Sequence, residues 1–222
     1  MKKNLLLLFI CVFLVSCQQS TDQNTTKDSK IESEAEVAFF PDNEMSLTLK
    51  EAIEIAQEEA LKWSKEALLY SGNSVDKDDT PTGMDGKRKH WNIEFGIPGK
   101  TDFYLVTIRD GMADEKAHVA AGFEVMPKNY FIASVEEFKY DTPELLKKGE
   151  KITNIYPGDT FAKGYNFSFS KDPQKNIPIV NVIGWDQNKK NMIYLEFNAV
   201  TGELEDNFER EQYKTTGEMT II

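Results

Sequence analysis

His90 and His118 are the only imidazole side chains in a chain of 222 residues. Neither has a second ligand at i+2 or i+4, so the paired-histidine face of a zinc hydrolase is absent. His90 follows Lys87-Arg88-Lys89 at the start of one alternating segment and His118 opens another, which makes both surface or strand-packing residues. Ser168-Phe169-Ser170-Lys171 satisfies a Ser-x-x-Lys pattern, but that chemistry needs a helix to bring lysine beside serine. In a strand, residues three apart face opposite sides. Asp76, Asp78 and Asp79 could collect calcium, yet the positions for an EF-hand glycine and glutamate hold Pro81 and Lys87, so they are read as a solvated loop. No nucleophile elbow, phosphate loop or dinucleotide fingerprint occurs. The expectation is no catalytic residue, no metal and no cofactor. Trp63, Trp91 and Trp185 fall on apolar stripes and belong to the core. Trp185, next to a turn at 186–191, is the candidate to face a ligand.

The composition is that of an ordinary globular protein, 40% hydrophobic and 28% charged. Its net charge of −11 argues against a nucleic-acid partner, whose affinity would rest on clustered Lys and Arg. Both cysteines, Cys11 and Cys17, precede residue 18, so the body can hold neither a disulfide nor a cysteine metal site.

Lys2 and Lys3 give a positive start, and residues 5–15 are an uncharged apolar run. That length suits a secretory signal and is too short for a stable membrane span, which needs roughly 20 residues. The run ends in Leu14-Val15-Ser16-Cys17. This resembles the lipobox of bacterial lipoproteins, which implies cleavage after Ser16 and a lipid on the Cys17 sulfur, with acyl chains such as palmitate. Removing residues 1–16 takes away two lysines and no acid, moving the net charge to −13. The resemblance implies a lipid-anchored protein facing outside the cytoplasm, at the cell membrane or the outer membrane.

Residues 17–44 carry two lysines and seven acids, with almost no large apolar side chains before Val37. They cannot bury enough surface to offset ordering entropy and are expected to be a flexible tether. Thr48 and Glu51 form a capping box for a helix expected to run to about Tyr70, stopped by Ser71-Gly72-Asn73. Alternation then predicts strands near 91–95, 103–108, 117–125, 130–138, 164–169, 179–185 and 192–197. A short helix is expected at 143–148, closed by Gly149.

The strands show internal repetition. Trp91-Asn92-Ile93-Glu94-Phe95 matches Tyr165-Asn166-Phe167-Ser168-Phe169, 103–108 matches 178–183, and Phe123-Glu124-Val125 matches Leu195-Glu196-Phe197. The second copy closes with Asn198-Ala199-Val200-Thr201-Gly202-Glu203-Leu204, where Asn198 suits a side-chain-closed turn and Gly202 a positive φ. This turn resembles the end of a PepSY domain; in the first copy Met126-Pro127-Lys128-Asn129 stands in its place. The resulting fold class is α+β, two tandem helix-plus-antiparallel-sheet modules at 45–140 and 141–213, with a tail at 214–222. A single continuous sheet with similar strands is the alternative.

PepSY-like modules imply a regulatory or inhibitory binding part linked to peptidases and supply no catalytic residues. The expected function is a non-enzymatic lipoprotein that binds or restrains a partner protein, with an envelope peptidase as the implied partner. A glycan- or small-ligand-binding lipoprotein is the alternative, and an enzyme built on two placed carboxylates stays open.

Overall fold

The computed structural model describes residues 45–78, 82–120 and 125–211. The signal, Cys17, the tether, Asp79, Phe123-Glu124 and the C-terminal tail lie outside them. Helix α1 spans Leu49–Trp63, opened by the expected capping box: Thr48 accepts from the Glu51 N–H and Glu51 accepts from the Thr48 N–H. Leu49, Ala52, Ile53, Ala56 and Ala60 form its buried stripe. Helix α2 spans Thr142–Ile152, with Asp141 and Glu144 making a second capping box. Gly149 lies inside α2 rather than closing it, because the helix presses on the sheet there; a Cβ would stand 2.8 Å from Leu195 Cδ1.

Eight strands form one antiparallel sheet: β1 (Leu68–Ser74), β2 (Trp91–Gly96), β3 (Asp102–Arg109), β4 (Met112–Ala120), β5 (Asn166–Asp172), β6 (Ile177–Trp185), β7 (Asn191–Asn198) and β8 (Leu204–Glu211). Their order is β4-β3-β2-β1-β5-β6-β7-β8. A helix followed by a four-strand meander therefore occurs twice, and the two halves join through β1 and β5 into a continuous sheet. By element order β1 corresponds to β5 and β2 to β6. The sequence match of 91–95 with 165–169 is thus shifted by one strand, since it sets β2 against the start of β5.

That shift has a local origin. Segment 68–74 is strand β1, not the last turns of α1. The helix ends at Ser64, whose extended backbone donates to Ala60 O, and the chain turns at once into the sheet. Two further elements differ from the sequence expectation. In place of a strand at 130–138 the chain forms two short 3₁₀ turns, Lys128–Tyr130 and Val135–Glu137, and buries Phe131, Ile132, Val135 and Phe138. Strand β4 begins at Met112, immediately after a two-residue turn in which Asp110 and Gly111 both have positive φ.

Both helices pack on one face of the sheet. Trp91, Ile93, Val106, Ile108, Phe167, Phe169, Val180, Val182, Leu195 and Phe197 join the helix stripes in one buried cluster. The halves are also stitched at their seam: Leu49 N–H donates to Thr142 Oγ1 and Tyr165 N–H to Thr82 O.

Candidate functional site

Because strand side chains alternate, the residues between the core positions project from the opposite face. Neither α1 nor α2 lies on that face, although Phe131 covers it at Gly96. The strand registers place Glu115, Thr107, Asn92, Asn73, Ser168, Asn181, Glu196 and Asp206 directly opposite one another in turn. One polar row therefore crosses all eight strands, and every member is half-buried or exposed.

The middle of the row is neutral and holds itself in place. Thr107 Oγ1 donates to Asn92 Oδ1 at 3.1 Å, and Asn181 Nδ2 donates to Ser168 Oγ at 3.3 Å. One position along, Ser71 Oγ donates to Glu94 Oε2 at 2.7 Å. Asn92 and Asn181 occupy equivalent places, on the second strand of each half. Asn181 Oδ1 is enclosed yet has no hydrogen-bond donor.

The β7–β8 end is acidic. Burial pushes the Glu196 carboxyl above its ordinary value, helped by the charges of Asp206, Asp172 and Glu205 and opposed by Lys175. Lys175 is committed to Glu205 at 2.6 Å. Beside this end Tyr194 and Phe208 stack with centroids 4.9 Å apart, and the Arg210 guanidinium lies over both rings. At the other corner Tyr70, Phe103 and Phe131 close over Gly96.

No family model matches this chain. No curated protein matches it either. Among solved structures, the crystal structure of a candidate lipoprotein from Clostridium difficile 630 is similar to it. The likeness covers 76% of this chain and 97% of that one, at 13% identity and a TM-score of 0.43.

The residues singled out from sequence fall elsewhere. His90 is 9% exposed, and its Nε2 lies 3.3 Å from Asp78 Oδ1. Asp78 also accepts from Thr82 Oγ1, and Asp76 Oδ2 accepts from the Lys163 N–H, so these two acids belong to an internal clasp and not to a solvated loop. At its centre Arg88 is fully buried, donating to the carbonyls of Val75, Lys163 and Tyr165. Burial lowers its pKa even though Asp78 and Asp76 oppose that. The clasp joins the loop between β1 and β2 to the segment before β5. Its role is to hold the halves together.

His118 is exposed, 3.1 Å from Asp102 and 5.9 Å from the Trp63 ring. No group of three or more metal-ligating residues exists among the described residues. Trp185 is only 3% exposed and its indole N–H donates to Phe161 O, so it offers no face to a ligand. Phe161 shields it edge-on and is itself exposed. Trp63 is the half-exposed tryptophan, and it stacks on Tyr104 at 5.1 Å. The polar row was missed because sequence reading follows the apolar positions of each strand. The available signal was the polar residue between them, as in Trp91-Asn92-Ile93 and Val180-Asn181-Val182.

Proposed function

We propose that the chain is a lipid-anchored protein of the cell envelope, facing outside the cytoplasm, whose body is a non-enzymatic binding module. The uncovered sheet face engages a partner protein. The polar row through all eight strands carries this reading. It offers hydrogen-bonding groups on a rigid, continuous backbone, flanked by an aromatic–arginine stack of the kind that concentrates binding energy at interfaces. An envelope peptidase is the partner class to which the PepSY-like turn at 198–203 points. In the structure that turn is closed as its residues suggest: Asn198 Oδ1 accepts from the Val200 and Thr201 N–H groups, and Gly202 has a φ of 68°. The Cys17 anchor rests on the signal and lipobox residues. No described helix is long and apolar enough to cross a membrane.

The test is crosslinking capture from envelope extract of the source bacterium, with three forms of the protein compared side by side. A protein captured by wild type and by Glu54→Arg on α1, but lost with Asn92→Arg/Asn181→Arg, supports docking on the row. Equal capture by all three forms, or by none, overturns it. The anchor is checked separately: Cys17→Ala is expected to abolish lipid labelling and release the protein from the membrane fraction.

A further inference from the structure

We infer that the end of the sheet bearing Met45, Met84, Met112, Ile152 and Phe161 rests on the lipid surface that holds the anchor. The inference rests on the reading of the chain as lipid-anchored and adds which part of the body meets the bilayer. All five residues are more than half exposed. The strand registers bring them to one end. Ser74 pairs with Trp91, Trp91 with Ile108, Arg109 with Met112 and Trp185 with Met192, so β1, β3 and β6 finish where β2, β4 and β7 start. Met112 opens β4 there, and Met45 lies against the preceding turn, its carbonyl oxygen 3.2 Å from where a Cβ on Gly111 would stand. Met84 belongs to the loop from β1 to β2, where Gly83 abuts the Tyr165 carbonyl just before β5. Phe161 lies edge-on to Trp185 at the end of β6. Ile152 ends α2, just ahead of Tyr156, which pairs with Trp185.

Single apolar residues scattered over a surface need no explanation, but these are sorted. Among the described residues the only other exposed large apolar side chains are three valines, Val119, Val125 and Val200. They lie toward the opposite end, where Gly99 N–H donates to Met126 O and the Asn198 turn closes. Methionine, isoleucine and phenylalanine gain by entering the boundary between headgroups and acyl chains. The body also enters at this end, since Met45 leads directly into α1. A flexible chain as long as residues 17–44 spans on the order of 30 Å, enough to let the end that it leads to touch the anchoring surface. With a net charge of −11 the attraction is apolar, and the surface that suits it is a neutral bilayer. In this posture the strands stand upright and the polar row stays open to a partner.

The test uses the lipidated protein purified from membranes and reconstituted into phosphatidylcholine vesicles. It carries a nitrobenzoxadiazole label on one introduced cysteine: Met112→Cys, Phe161→Cys or, as the control at the opposite end, Val200→Cys. The native thiols do not compete, because the lipidated Cys17 sulfur is blocked and Cys11 leaves with the signal. Labels at 112 and 161 are expected to shift their emission to the blue and to lose most of it to brominated lipid. The label at 200 is expected to keep its aqueous spectrum. The same response at all three positions, or an aqueous spectrum at either 112 or 161, overturns the inference. Fractionation of the unlabelled protein separates this from the anchor. A chain retained by membranes while its labels at 112 and 161 stay in water keeps the anchor and loses the contact. A chain never retained removes the anchor, and the contact with it.

Discussion

Gly72 and Phe169 face one another across the junction of the two halves, and a Cβ on Gly72 would stand 2.5 Å from Phe169 Cε1 and 2.7 Å from Asn92 O. The strand pair that joins the halves is closed by a missing side chain. Gly72→Val is expected to destabilise the protein by about 2–3 kcal/mol, because the added methyls meet backbone on one side and a packed ring on the other. A urea titration checks this through a lower midpoint at unchanged slope. An unshifted midpoint would mean that β1 and β5 are not in contact.

The same glycine explains what the sequence conceals. Ser71-Gly72-Asn73 has the composition of a turn, so local reading ends a helix there; only the approach of Phe169, 97 positions later, makes it the middle of a strand. Gly149 misleads in the same way, since Leu195 and not a helix end requires it. What depends on neighbours in sequence was legible: the Thr48–Glu51 box, the alternation of Trp91, Ile93 and Phe95, and the Asn198 turn. Strand β8 was missed because Leu204 and Phe208 are its only large apolar residues, leaving too little alternation to see. The polar row was illegible for a deeper reason. Its members come from eight strands, and only the register aligns them.

Arg88 ties the halves together from inside. Its guanidinium is fully buried and donates to the carbonyls of Val75, Lys163 and Tyr165. Arg88→Met keeps the approximate volume and removes every one of those bonds. The expected loss is about 3 kcal/mol, since breaking a buried charged network strands its remaining partners. Hydrogen exchange should localise the damage, with faster exchange at the Leu47, Val75 and Tyr165 amides, which lie in the clasp. Uniform acceleration across the sheet would instead indicate a general loss of stability.

The three tryptophans differ in what solvent can reach. Trp91 and Trp185 are buried, whereas Trp63 is half-exposed against Tyr104. Trp63→Phe is therefore expected to remove most of the iodide-quenchable fluorescence, and Trp185→Phe to leave it almost unchanged. Loss of quenching with Trp185→Phe would show that the loop at 158–164 opens and exposes that indole in solution.

Glu196 makes stability depend on pH in a direction that can be worked out. Burial, then Asp206 and Asp172, raise its folded-state pKa above the ordinary 4.5. The fold therefore holds the proton more tightly than the unfolded chain does. Its contribution is most favourable below pH 4.5 and is lost as pH rises through the raised folded value. At pH 7 the ionised carboxylate is a burden, moderated by the solvent that reaches this half-buried site. Glu196→Gln lifts the burden while keeping the shape. It is expected to raise Tm by about 2 °C at pH 7. That gain should shrink to nothing as the buffer is taken below pH 4.5, because both side chains are then neutral. A lower Tm for Glu196→Gln at pH 7 would show that the charged form is stabilised by the sheet, and that the acidic end of the row has its counter-ion within the protein.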